Sequence, residues 1–303
     1  MKRSFVAVAF ILLMMACRTA PETETTSLSK TEQWQLGWRM IVSTLEEDFS
    51  TAAQQFDSLR AYSDTVELRF LIAGLEVLEN LGQVEKRDSI LALQSEHTWS
   101  TFCKKGLYLE QKPNPIPCTR EDQQPQDTAL QRQLIAMEVR DQLARGNVQD
   151  YLIEAFSIDT SGMSYADGVE VDAENREALK AIIEAHGFPT AELVGEEGMH
   201  AVFILIQHAD RDPEWQKAQL PYIEAAVKNG GLDGQDYAYL YDRIQVNAGK
   251  PQRYGTQFSK VDPATKTIEL AAVEDPDNLN QRRMEVGMMP IESYRALVLS
   301  RFQ

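Results

Sequence analysis

Between Lys112 and Asp127 the chain carries Pro113, Pro115, Pro117 and Pro125 among Asn, Gln, Asp and Glu side chains. Proline has no backbone N–H to donate and its ring clashes with the preceding helical turn, so neither a helix interior nor a central strand runs through such a stretch. Its polar company offers nothing to bury. The segment 112–128 therefore reads as a linker, and the residues on either side, 31–111 and 129–303, must each assemble a core of their own.

The first region reads as helices. Trp34, Leu36, Trp38, Ile41 and Leu45 recur at near-helical spacing, as do Phe49, Ala52, Ala53, Phe56 and Leu59 after a short acidic break. Leu68, Leu71, Leu75, Leu78 and Leu81 predict a third helix, and Val84, Ile90, Leu91 and Leu93 a fourth. An offset of about 35 residues lays Leu36 on Leu71, Met40 on Leu75, Phe49 on Val84 and Phe56 on Leu91. With Ala52 and Phe56 as a small-then-aromatic pair, the region resembles a pair of tetratricopeptide hairpins. Arg87 stands where the second copy of that pattern has a small residue. The resemblance implies a groove for a partner peptide; an ordinary helical bundle packed on the second region is the other reading.

The second region alternates helical runs with turn residues. Asp172 and Asn175 stand where they can cap a helix over Ala173–Ala185, which Gly187 and Pro189 end. Thr190 opens a helix to about His208 whose middle, Met199 to Ile206, is apolar on every face, so it is expected at the centre of the domain. Asp212-Pro213 starts another helix that stops at Gly230-Gly231, and Gln235 to Asn247 forms the next. Tyr254–Phe258 and Thr267–Val273 are short strand candidates forming a hairpin that must pack on helices to be stable. Helix then returns over Pro276–Met288 and Ile291–Phe302. The expected fold is mainly α: helical hairpins followed by an α-helical domain carrying one small β-hairpin.

At the start, Lys2 and Arg3 precede the uncharged stretch Phe5–Ala16, which closes on Ala16-Cys17. A membrane span needs about 20 apolar residues, so this segment suits a cleaved signal rather than a resident helix. Residues 1–17 resemble the bacterial lipoprotein signal and lipobox. The resemblance implies acylation at Cys17 by diacylglycerol and a fatty acid such as palmitate, and a membrane contact made through that lipid. Arg18 to Lys30 is polar, rich in Thr and Ser, and reads as a tether over 18–30. With Arg18 rather than aspartate after the cysteine, the expected address is the outer membrane, facing the periplasm.

Loss of Lys2 and Arg3 takes the formal charge from −16 down by two, to −18. Such a surface repels phosphate backbones, so nucleic acid is excluded as a natural partner. Cys103 and Cys118 remain as an even pair in an oxidising compartment, which suggests a disulfide; closing so short a loop contributes about 3 kcal/mol on the chain-entropy model. Two thiols without neighbouring histidines do not complete a zinc site, and the sequence assigns no metal and no cofactor.

The candidate chemistry lies in the second region. Gln207-His208-Ala209-Asp210 places polar groups at the end of an apolar helix. Two readings of His208 stand: an imidazolium satisfied at the negative end of the helix dipole, or a general base oriented by Asp210 or Asp242. His200 lies roughly 80° away around the helix, too far round for both rings to hold one metal from this helix alone. Tyr254-Gly255-Thr256-Gln257 lacks the spacing of a phosphate loop, and is either a ligand-approaching turn or a strand-entry turn. Arg282 and Arg283, adjacent on a helix, and Asp242-Arg243 offer an ion pair or a carboxylate clamp.

These motifs, with Asp141-Gln142, Arg145, Gly187-Phe188-Pro189, Val194-Gly195 and Gly287, resemble an uncharacterised bacterial domain family. The resemblance implies a shared fold and brings no reaction. Two functions follow as expectations: a non-catalytic module binding an envelope protein or a small polar ligand, or an envelope hydrolase with His208 as base and Gln207, Tyr254, Gln257 and an arginine positioning substrate.

Overall fold

The computed structural model describes residues 27–300 apart from 64, 96–97, 99–124, 164–166, 263 and 266. Cys17, Cys103, Cys118, the signal and most of the 112–128 linker lie outside the described residues. The fold is mainly α-helical with a single two-stranded antiparallel hairpin among the described residues. None of the helices described is long and apolar enough to cross a membrane.

The first region folds as two helical hairpins, α1 (Lys30–Leu45) with α2 (Phe49–Tyr62) and α3 (Leu68–Asn80) with α4 (Val84–Ala92). Ser29 and Glu32 form a reciprocal capping box at the start of α1, and Asp48 accepts the Thr51 N–H at the start of α2. The two hairpins pack closely on each other because small residues face rings: a Cβ at Gly37 of α1 would clash with the Phe70 ring of α3, and one at Gly74 of α3 with the Phe56 ring of α2. Arg87, at the position where the repeat pattern has a small residue, is buried without penalty from an unpaired charge. Its guanidinium meets Glu79 at 3.1 Å and Asp88 at 2.7 Å.

This region is seated on the second. The Trp34 indole N–H donates to the Met288 carbonyl at 2.8 Å, and Met284 joins the cluster of Trp34, Phe56, Phe70 and Leu75.

The second region runs α5 (Thr128–Ala144), α6 (Asp150–Ala155), α7 (Gly168–His186), α8 (Ala191–Gln207), α9 (Pro213–Ala218), α10 (Leu220–Lys228), α11 (Gly234–Asn247), β1 (Phe258–Asp262), β2 (Thr267–Leu270), α12 (Leu279–Glu285) and α13 (Ile291–Ser300). As its apolar middle requires, α8 is central: Met199, Ala201, Val202, Phe203, Leu205 and Ile206 are buried against α5, α7, α10 and α11. His200 and Ile204 alone in that run stay partly open. Gly195 (φ 73°, ψ 172°) kinks the helix before this run.

Two sequence expectations are corrected. Helix α7 starts at Gly168, capped by Asp167, so Asp172 and Asn175 lie inside it; Asp172 reaches Arg145 and Asn175 the Met137 carbonyl. Residues 254–257 are not strand, because the N–H groups of Tyr254 and Thr256 turn inward to the buried Asp242 carboxylate and that of Gln257 to the Gln252 side chain, and β1 begins only at Phe258. The hairpin pairs Val261 with Ile268 and Asp262 with Thr267, with an irregularity between Phe258 and Lys260.

Candidate functional site

His208 is the residue that closes α8, and its ring turns toward α5. The imidazole Nδ1 lies 2.9 Å and 3.0 Å from the two carboxylate oxygens of Asp141. Asp141 sits near the end of α5 with a side chain only 1% exposed, whereas that of His208 keeps 12% of its surface open. The carboxylate is held from two more sides, by the Gln142 amide at 2.8 Å and by an Arg145 guanidinium nitrogen at 3.0 Å. Arg145 then reaches Asp172 on α7 at 2.6 Å. Burial raises the pKa of Asp172, against the opposing pull of Arg145.

This geometry answers which carboxylate orients His208: it is Asp141, not Asp210 or Asp242. In the neutral ring, a carboxylate fixed on Nδ1 favours the tautomer with its proton there, which makes Nε2 the acceptor. Nε2 has no hydrogen bond among the described residues. One ligand atom each from Asp141, Asp172 and His208 lie within 4.8 Å of one another, the spacing of a metal centre. The Arg145 guanidinium already bridges the two carboxylates there, which fills the charge-neutralising role a cation would take.

Asp210 has a different task. Its carboxylate takes both the Nε and Nη2 donors of Arg243 on α11, with Asn247 at 3.1 Å and the Gln216 amide at 3.3 Å. Burial pushes its pKa up, and Arg243, Gln216 and the nearby His208 outweigh that push and leave it lowered. Gln216, 1% exposed, also donates to the last carbonyls of α8, those of Ile206 and Gln207 at 3.0 Å each. Gln207 thus enters the structure through its backbone. Asp212 caps α9 and meets Lys180 at 2.8 Å.

The remaining candidates form a separate knot around Asp242 of α11. Asp242 is fully buried and accepts the backbone N–H groups of Arg253, Tyr254 and Thr256 at 2.7–3.1 Å and the Thr256 hydroxyl at 3.0 Å. Gln252 clasps the same loop by accepting the Gln257 N–H and donating to the Gln257 carbonyl, both at 2.8 Å. The Gln257 amide itself donates to the Thr256 hydroxyl at 3.0 Å.

Neither arginine meets Asp242. Arg282 donates to the carbonyls of Arg253 and Asp275, and Arg283 to those of Tyr254 and Met289, with its guanidinium 5.0 Å over the Tyr294 ring. The expected ion pair is absent because the acceptor sites of Asp242 are filled by N–H groups, while α12 lies between two loops that each present carbonyls. Burial brings Arg283 down to about 10 and the Tyr254 phenol up to about 12. Tyr254, Gln257, Arg282 and Arg283 are thereby committed to shaping one loop. The structure brings His208 together with Asp141, Arg145 and Asp172 instead.

A family model described as a family of unknown function (DUF6624) matches residues 128–302. The chain belongs to this family. The match begins at the first residue of α5 and takes in both the His208 centre and the Asp242 knot, while the N-terminal hairpins lie outside it. No curated protein and no solved structure matches the chain.

Asp141 carried a signal in the sequence. Leu130, Leu134, Glu138 and Asp141 fall on one stripe of α5, so two acids continue an apolar face into the core. An acid on such a stripe needs a partner, and both have one in a histidine, His200 within α8 for Glu138 and His208 at its end for Asp141.

Proposed function

We propose that this chain is a lipid-anchored envelope protein whose family domain is a hydrolase, with His208 as general base and Asp141 as the residue that positions it. The observation that carries the reading is the buried Asp141 carboxylate on Nδ1 of a ring whose side chain still reaches solvent. In this arrangement Nε2 takes a proton from a water molecule, the resulting hydroxide attacks the substrate's electrophilic centre, and the imidazolium returns the proton to the leaving group. Asp141 stabilises the imidazolium formed in between. Arg145 supports the charge balance by pairing with Asp141 and Asp172.

The anchor and the substrate's location rest on the leader and on Cys17. The non-catalytic binding module is the weaker of the two functions because part of the hairpin surface that would receive a partner is spent on Met284 and Met288 of the family domain.

Turnover of a panel of envelope-derived esters and amides should fall by about 10²–10⁴-fold in His208→Ala. Asp141→Asn should fall comparably and lose the limb of the pH–rate profile that belongs to the base. Equal turnover in wild type and both folded variants removes the catalytic role. Incorporation of labelled palmitate that persists in Cys17→Ala removes the anchor.

A further inference from the structure

We propose that Glu138, Gln149, Tyr151, Glu197 and His200 form a second binding site, for a ligand that presents a primary ammonium group. Glu138 lies one helical turn before Asp141 on α5, and its side chain is 1% exposed. One carboxylate oxygen, Oε1, is matched to His200 Nδ1 at 3.2 Å and to the Gln149 amide nitrogen at 3.0 Å. The other, Oε2, is buried and has no hydrogen-bond partner among the described residues, and the same is true of the Gln149 Oε1 atom.

Buried oxygens of this kind are rare in folded proteins, because leaving an acceptor dry and unmatched is unfavourable. Both vacant atoms are acceptors, and both belong to groups that already meet at Glu138 Oε1. A single donor-rich group can therefore serve them together.

The surroundings set the sign of that group. The Tyr151 hydroxyl is near enough to Glu138 and Glu197 to feel both charges, and His200 feels Asp233 and Asp236 as well as Glu138. Glu197 and His200 are three apart on the stretch of α8 after the Gly195 kink, so they share a face. Neither Glu138 nor Glu197 is paired with a lysine or arginine among the described residues. An anion is repelled here. A metal ion is poorly served, since the grouping with metal-ligand spacing among the described residues is the one at Asp141, Asp172 and His208. An ammonium fits, since it carries three donors and a full charge. Both oxygens are closed to solvent in this structure, so entry of the ligand requires His200, with a side chain 45% exposed, or Tyr151, 62% exposed, to move aside.

The proposal is independent of hydrolysis at His208 and is tested without it. The ¹⁵N-labelled full chain is titrated with methylammonium chloride and with 1,4-diaminobutane while the His200 ring resonances are followed. Tetramethylammonium, which has the charge but no N–H donor, and sodium serve as comparisons. The expected result is a saturable shift with the two primary amines only, weakened at least tenfold in Glu138→Gln, several-fold in Glu197→Gln, and unchanged in His208→Ala. Glu197 is partly exposed, so its variant keeps the test sound if Glu138→Gln does not fold. Absence of saturation, an equal response to tetramethylammonium or sodium, or wild-type binding by Glu197→Gln overturns the proposal and assigns the vacant oxygens to ordered water.

Discussion

Two buried aspartates show how differently the same side chain is used in this domain. Asp242 is surrounded by N–H and O–H donors of one loop and forms no ion pair among the described residues, which makes it a fastener for residues 253–256. Asp141 shares its oxygens among a histidine, an amide and a guanidinium, all of them side chains that reach toward the surface. Glu138 and His200 repeat the acid–histidine pairing, and they carry a pH prediction. The Glu138 hydrogen bond raises the pKa of His200 in the folded chain, against desolvation and with help from Asp236 and Asp233. A raised folded pKa means that the pair's stabilisation is complete below the unfolded value of about 6.5 and disappears as pH rises through the folded value. The urea midpoint of wild type should therefore exceed that of His200→Gln at pH 5.5, and the gap should narrow at pH 9. A gap of equal size at both pH values would show that the ring is not charged in the pair.

At the scale of elements, α8 bears the most on the His208 centre, since it is both the middle of the core and the carrier of His200 and His208. Its kink depends on Gly195, whose φ of 73° and ψ of 172° are all but closed to other residues, and whose missing Cβ leaves room for the Gln131 amide. A Cβ there would stand 2.6 Å from Gln131 Nε2. Gly195→Ala should lower stability by about 1–3 kcal/mol, read as a drop in the thermal midpoint; an unchanged midpoint would mean that the kink is not required.

The sequence made α8 legible because an all-round apolar run has one place to go. Helix ends were legible to within a few residues wherever a cap residue or a glycine marked them, as at Thr190 and Gly187. Residues 254–257 were not legible, since Tyr254 and Thr256 suit a strand and nothing local announces that Asp242, twelve residues before Tyr254, will claim the N–H groups of both. The partner of His208 was hidden for the same reason: it lies sixty-seven residues away on α5, where pattern gives the face but not the contact. Asp210, close by in sequence, was a visible candidate, and it is occupied by Arg243.

Over the whole molecule, the question is whether the hairpins and the family domain fold as one unit. The family match stops at the α5 boundary, yet the core of the hairpins takes in Met284 from α12 and ties Trp34 to the carbonyl of Met288. Met288 is itself buried beside Tyr254 and Ala238, next to the loop that Asp242 fastens. Trp34 therefore joins the inner face of α1 to the part of the domain with the densest polar network. Two substitutions separate the contributions. Trp34→Phe keeps a ring in the cluster and removes one hydrogen bond, so it should cost about 1 kcal/mol, somewhat more if the Met288 carbonyl is left dry. Trp34→Ala also opens a cavity and should cost about 3–5 kcal/mol. If the seat is what couples the regions, Trp34→Ala should further split a single denaturant transition into two, the hairpins unfolding first and the domain later. A single transition in Trp34→Ala, followed by both tryptophan fluorescence and circular dichroism, would place the coupling elsewhere, in the α1–α13 contact or in the Arg69 bond to the Gly287 carbonyl.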